Sequence, residues 1–269
     1  MPTTDDTYLN SCNSENGPLV TVIIAVFNGE KYIAEAINSI TNQTYADIEL
    51  IVIDGDSKDS TVDILRAHSE HIAYWVSEPD SGIYDAWNKG LAVANGEWIA
   101  FLGCDDLYYP TAIKDYVEYI ALHKNEDLDF VSSRIELVSS DLQPIKVVGE
   151  KWSWEFFRKN MIVAHPGSLH NRKYFSKYGI FDPTYRMAGD YELLLRAHEG
   201  LAAGFLDNIT VMMRVGGAST DLAVFKENYR AKTVSGERNK FICYFEEKRK
   251  WWSIAKYRIF KYCFKERNQ

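Results

Sequence analysis

Four apolar runs in the first 110 residues each hand over to an acid or an amide. Asn28 follows LVTVIIAVF, Asp54 and Asp56 close IELIVID and its turn, Glu78 and Asp80 follow Ala73 to Val76, and Asp105-Asp106 follow EWIAFLG. Adjacent carboxylates concentrate negative charge that a hard divalent cation can offset, and an oxygen-only ligand set favours Mg²⁺ or Mn²⁺. A cation held by one or two protein carboxylates takes its other ligands from substrate phosphates, so this pair points to a phosphorylated substrate. The plainer alternative is that Asp105-Asp106 opens the next helix with one carboxylate as cap, and Asp56, Ser57 and Asp59 admit the same reading. No G-x-G-x-x-G or G-x-x-x-x-G-K-[ST] follows any run, which removes the main support for dinucleotide and P-loop chemistry.

The elements that must position these residues alternate. LVTVIIAVF has the length and β-branched content of a buried strand, and EKYIAEAINSITNQ after it repeats Ile33, Ala36, Ile37 and Ile40 at helical spacing. IELIVID and STVDILRAHSE repeat the strand and helix; Ala73 to Val76 is a third strand, IYDAWNKGLAVANG a helix with a Gly stop, and EWIAFLG a fourth strand. Strands buried on both faces and alternating with helices predict an α/β fold with a mostly parallel, Rossmann-like sheet flanked by helices. Ligands of such sheets sit at the carboxyl ends of the strands, so the four polar strand ends read as one site. The second half is less regular: helical TAIKDYVEYIALHK and strand-like DFVSSRIELVSS precede an aromatic-rich stretch with two histidines and a helical ending.

The 269 residues, 46% hydrophobic and 25% charged, suffice for one large core or two small ones and exclude a disordered chain. No apolar stretch approaches the roughly 20 residues of a membrane span, no signal peptide is visible, and four cysteines without C-x-x-C pairing fit a reducing, cytoplasmic setting. The net charge of −8 is unevenly spread: from Lys226 onward 13 Lys or Arg stand against 5 Glu, leaving 17 against 33 for the first 225 residues. The expected organisation is a loose arm over 1–17, a catalytic domain over 18–225 divided at 110/111, and a basic, aromatic, helical tail over 226–269.

The succession TVIIAVFNGEKYIAEAINSITNQTY, ELIVIDGDSKDST, SEPDSGIYDAWNKGLAVANGEWIAFLGCDD and FDPTYRMAGDYELLLR resembles glycosyltransferase family 2, the inverting enzymes with the GT-A fold. It covers Leu19 to about Gly217 and is especially similar to bacterial enzymes that build O-antigen, capsular and lipo-oligosaccharide chains, through E-x-D-x-G-x-x-x-A-x-N-x-G from Glu78 to Gly90. The resemblance implies that a donor-side nucleotide half is followed by a smaller acceptor-side region. By that resemblance the strand end at Ala25, Phe27 and Asn28 meets the nucleotide, with Phe27 as base platform. Asp54 bonds the base, though Gly55 stands where the family usually has a second acid. Asp80 and Asn88 belong to the donor-side loop and its helix, Asp105 lies near ribose and metal, and Asp106 is the direct ligand of Mn²⁺ or Mg²⁺. Gly103 replaces an acid or amide often found two positions before Asp105. Asp190 is the general base, and Arg214 with Gly216-Gly217 is the segment that closes over the donor.

The implied reaction moves a hexose (Glc, Gal or N-acetylhexosamine) from a UDP-sugar to a lipid-linked or oligosaccharide acceptor. One carboxylate takes the acceptor proton and a cation stabilises the departing diphosphate. His165 is a candidate contact to phosphate or acceptor and Trp154 a candidate sugar platform, although a histidine or an aromatic cluster is as readily structural. The basic tail suits an anionic membrane surface, which would make the protein peripheral; packing on its own domain or on a second subunit of a homodimer is the alternative. Nucleic acid is disfavoured by the acidic body. A nucleotidyltransferase would need a basic Gly-rich loop where AVFNGEKY stands; the rival outside enzymes is a silent nucleotide-sugar-binding or scaffold subunit.

Overall fold

Along β1 (Val20–Val26) every residue is buried, and alternate side chains enter two different cores. Val20, Val22, Ile24 and Val26 pack with α1 (Ile33–Thr41) and α4 (Ala112–Leu122), while Ile23 and Ala25 pack with α3 (Ile83–Val93), α6 (Arg172–Tyr178) and α7 (Gly189–Leu195). This is the two-sided burial that a helix-covered sheet requires. The structure is a computed structural model describing residues 17–216 and 223–252.

β1 lies between β2 (Ile48–Asp54) and β4 (Trp98–Gly103), with β3 (Tyr74–Ser77) outside β2, all four parallel. Helix α1 buries Ile33, Ala36, Ile37 and Ile40 as its spacing predicts, and α2 (Thr61–Ala67) follows β2. β3 is shifted one residue from the expected Ala73 to Val76. No described helix is long and apolar enough to cross a membrane.

The parallel layout ends at β4. Beyond it the sheet runs β8 (Ser168–Asn171), β6 (Phe130–Val138), β9 (Ala203–Arg214) and β5 (Leu107–Tyr108), with β7 (Pro144–Val148) on β6. β8 is antiparallel to both neighbours and β6 is parallel to β9, so this half is mixed. β8 carries no apolar run that would mark it as a strand in sequence, because SLHN is short and polar. It can be buried because Ser168 Oγ donates to the His165 carbonyl at 2.6 Å.

The boundary expected at 225/226 needs correction. It cuts α8 (Val224–Val234), which packs on α7 and continues the folded domain. A further helix covers 240–252. Residues 1–16 of the expected arm, Gly217 of the closing segment and 253–269 of the tail lie outside the described residues.

Candidate active site

Strand register brings the polar ends together. Val26 pairs with Asp54, Asp54 with Ser77, and Ala25 with Gly103, so the residues after β1, β2, β3 and β4 emerge at one edge of the sheet. Phe27, 61% exposed, stands there as an apolar ring facing solvent. Asn28, at φ 50°, ties two of the loops: its N–H donates to Ser57 Oγ at 2.7 Å and its Oδ1 accepts from the Lys58 N–H at 2.8 Å. Asp54 is fully buried and accepts from the Ser57 N–H at 3.0 Å, from Ser57 Oγ, and from Ser77 Oγ at 2.5 Å. Its carboxylate therefore organises the loops after β2 and β3 from below.

The carboxylates of Asp105 and Asp106 converge at Gly103. A Cβ on Gly103 would lie 2.9 Å from Asp106 Oδ2 and 3.0 Å from Asp105 Oδ1. The missing side chain thus leaves a cradle between two acidic oxygens, a donor set that fits a hard divalent cation whose other ligands are phosphate oxygens. Among the described residues no cluster of three His, Cys, Asp or Glu forms a site of its own. Burial, reinforced by the Asp105 charge, pushes the Asp106 carboxyl up to about 8. The same burial pushes the neighbouring Cys104 thiol up to about 12, which excludes it as a nucleophile near neutral pH.

Arg214 borders the acidic pair because β5 and β9 pair Leu107 with Met212, which carries the end of β9 back past Asp105. Its N–H donates to Asp106 Oδ1 at 3.2 Å, its Nη1 to the Asp105 carbonyl at 2.6 Å, and its Nη2 to Glu35 Oε2 at 2.5 Å; its guanidinium lies 4.5 Å from the Tyr32 ring centre. The family resemblance implies a closing segment at Arg214, and the structure seats this residue, buried, as the cation beside the acids.

Asp190 is reached from the other side. It opens α7, where its Oδ1 accepts from the Tyr191 N–H at 2.8 Å and from the Tyr84 hydroxyl at 3.2 Å. Burial, then the Asp190 charge, raises the Tyr84 phenol well above its ordinary range, so Tyr84 remains a donor. Gly189 permits the contact, since a Cβ there would meet the Tyr84 ring at 2.7 Å. Glu227 of α8 steadies the preceding turn by accepting from the N–H groups of Arg186, Met187 and Ala188 at 2.8–2.9 Å.

The sequence model of Glycosyl transferase family 2 matches residues 21–179, more than half of the chain. The chain belongs to glycosyltransferase family 2. It is 30% identical over 211 residues to an uncharacterised glycosyltransferase of Rickettsia typhi, a match that takes in 76% of this chain and 66% of that protein, just under two thirds of the relative's length. Among solved structures, residues 1–349 of S. aureus TarS in complex with UDP-GlcNAc superpose with a TM-score of 0.66 at 19% identity, over 83% of this chain and 69% of that one. The mannosyltransferase PcManGT of Pyrobaculum calidifontis, in complex with GDP-Man and Mn²⁺, gives 0.60 at 20% identity, over 81% and 63%. The fold is that of the GT-A glycosyltransferases.

Several residues that the family resemblance marks have close partners within the fold itself. Asn88 uses both ends of its amide on the Phe181 backbone, at 2.8 and 3.1 Å, and so fixes α3 to the segment before α7. His165 is 3% exposed and packed against Trp87, Phe101 and His170, and among the described residues neither ring nitrogen has a hydrogen-bond partner. It is a core residue. Trp154 packs against His198, with Arg158 on its ring. Asp80 accepts from the Gly82 N–H at 2.7 Å, and its Oδ2 lies where a side chain on Gly55 would start, 2.6 Å from that Cβ. The acid missing at 55 is therefore matched by one arriving from the loop after β3. Tyr84, Glu35 and Glu227 escape sequence reading because their partners stand dozens of residues away.

Burial lowers the imidazoles of both His165 and His170 below their ordinary value. Below about pH 6.5 the unfolded chain binds protons that the folded protein refuses, so stability should fall with pH there, by up to about 1.4 kcal/mol per pH unit per histidine. His170→Phe is expected to flatten the decline in melting temperature between pH 7 and 5. A parallel decline in the variant would remove that histidine from the cause.

Proposed function

We propose that this family 2 protein is an inverting, metal-dependent hexosyltransferase that uses a UDP-sugar and extends a lipid-linked or oligosaccharide acceptor in bacterial surface polysaccharide synthesis. The observation that carries the reading is the division of labour among carboxylates: Asp105 and Asp106 form a cradle at Gly103, while Asp190 is held apart by Tyr84 and Tyr191. Both donors bind Oδ1 of Asp190, which leaves Oδ2 for an acceptor hydroxyl. Asp190 takes that proton as the acceptor oxygen bonds to the anomeric carbon, and the bond from that carbon to the nucleoside diphosphate breaks on the opposite face. An α-linked donor then gives a β-linked product.

Residues 18–110 bind the donor in this reading, with Phe27 under the base and Asp54 shaping the loops around it; residues 111–225 form the acceptor side. Asp105 and Asp106 would hold Mn²⁺ or Mg²⁺, which supplies positive charge to the leaving diphosphate. TarS with UDP-GlcNAc and PcManGT with GDP-Man and Mn²⁺ are similar in fold and support a nucleotide-sugar donor. The free thiols Cys104 and Cys243 fit a reducing, cytoplasmic site of action.

The test is thermal stabilisation by UDP-, GDP-, dTDP- and CMP-sugars with and without Mn²⁺. A ligand at 100 times its Kd stabilises the folded state by about 2.7 kcal/mol, a shift of several degrees for a domain of this size. One UDP-sugar should raise the melting temperature and require the metal. No response to any nucleotide sugar would overturn the donor reading and favour a scaffold subunit.

A further inference from the structure

The helix over 240–252 has two opposed faces. Cys243 and Glu247 are buried against the domain, where Glu247 Oε1 accepts from the fully buried Lys232 Nζ of α8 at 2.5 Å. Arg238 grips Glu246 with two bonds of 2.7 Å. The helix is thus docked on the domain through buried ion pairs. Its outer face carries Phe241, Phe245 and Trp252, exposed by 78%, 68% and 65%. At 100° per residue these three rings fall within about 40° of one another, with Lys248 and Arg249 exposed on either side of the stripe. Beside it, Phe225, Tyr229, Tyr244 and Trp251 line a cleft of about 420 Å³ that also touches Lys226 and Lys248.

We propose that this face is a membrane-docking surface for anionic lipid bilayers. A row of exposed rings bordered by cations matches an interface in which aromatic side chains enter the headgroup region and Lys or Arg meets lipid phosphates. Charge favours this occupant over a second copy of the chain. The segment from Lys226 onward is basic while the body is acidic, so two copies meeting symmetrically through this face would set like charges against each other. The sequence beyond the helix continues the composition, with Lys256, Arg258, Lys261, Lys265 and Arg267 against a single acid, Glu266. This surface does not depend on the transfer reaction, so its test separates from that of the active site.

The experiment is co-sedimentation of the full chain with vesicles of phosphatidylcholine alone and of equimolar phosphatidylcholine and phosphatidylglycerol, at low and high salt. Binding is expected to the anionic vesicles and to weaken with salt. Phe241→Ser/Phe245→Ser/Trp252→Ser should reduce partitioning roughly tenfold or more, and Lys248→Glu/Arg249→Glu should abolish the preference for anionic lipid. Because all five residues point away from the core, the circular dichroism and melting temperature of the variants should match the parent. Undiminished vesicle binding by both variants, or no binding by the parent, would overturn the proposal. So would a concentration-dependent dimer in sedimentation velocity that the aromatic substitutions dissolve.

Discussion

Asp190→Asn is expected to lower kcat by about 10³-fold, the usual worth of a positioned general base, while the donor Kd stays within about twofold of the parent. The substitution is close to isosteric, and the amide oxygen can still accept from the Tyr84 hydroxyl and the Tyr191 N–H, so the start of α7 keeps its geometry. What is lost is the ability to take a proton from the acceptor. Donor affinity should be spared because the donor contacts proposed above lie at the ends of β1, β2 and β4 rather than on α7. The measurements are single-turnover transfer and, separately, donor titration by calorimetry. Transfer at the parental rate would remove Asp190 from the reaction, and a collapse of donor affinity would make it a binding residue.

Asp106→Asn should separate stability from function in the opposite sense. With a folded-state value of about 8 against 3.8 in the unfolded chain, Asp106 keeps its proton on folding across that window while the unfolded chain releases it. Metal-free stability therefore falls as pH rises from about 4 to 8 and levels off above, with a slope of up to about 1.4 kcal/mol per pH unit. Asn carries no such proton, so the metal-free variant should melt several degrees higher than the parent at pH 8 and differ little at pH 5. It should also lose the Mn²⁺-dependent part of donor stabilisation and at least about 10²-fold in turnover, since one of two oxygens in the Gly103 cradle no longer carries charge. A parental response to Mn²⁺ would show that Asp106 is not the ligand. An unchanged pH profile of melting would show that its carboxyl does not bear the cost of burial.

The stability cost at Asp106 sits where a functional site is expected to hold it. A carboxylate beside a second carboxylate, 5% exposed, is poor design for an isolated fold, and Arg214 offsets only part of it by donating a backbone N–H and standing nearby. The same guanidinium bonds Glu35 and the Asp105 carbonyl and lies against the Tyr32 ring, so α1, β4 and β9 are tied together at the acidic pair.

Local pattern was enough to recover the parallel half of the sheet. β1, β2 and β4 are continuous apolar runs because both faces are covered, α1 shows its buried stripe at every third or fourth residue, and the strand-end acids follow in order. Parallel strands joined by right-handed crossovers leave almost one way to arrange such a series, so Asn28, Asp54, Asp80 and Asp105-Asp106 could be assigned to one edge from their spacing alone. The second half was not legible in this way. β8 is short and polar, and it is buried by pairing with β4 and β6, strands that no local window contains. His165, Asn88 and Tyr84 make the same point from three directions: a histidine at the end of an apolar stretch proved to be core, an amide in a donor motif proved to be a clamp on Phe181, and an unremarked tyrosine proved to hold the proposed base. Residue type and spacing report a chain's period and its chemistry. Which side chain satisfies which partner across 93 or 106 residues is settled when remote segments pack, because burial favours polar groups that find a mate wherever the fold supplies one.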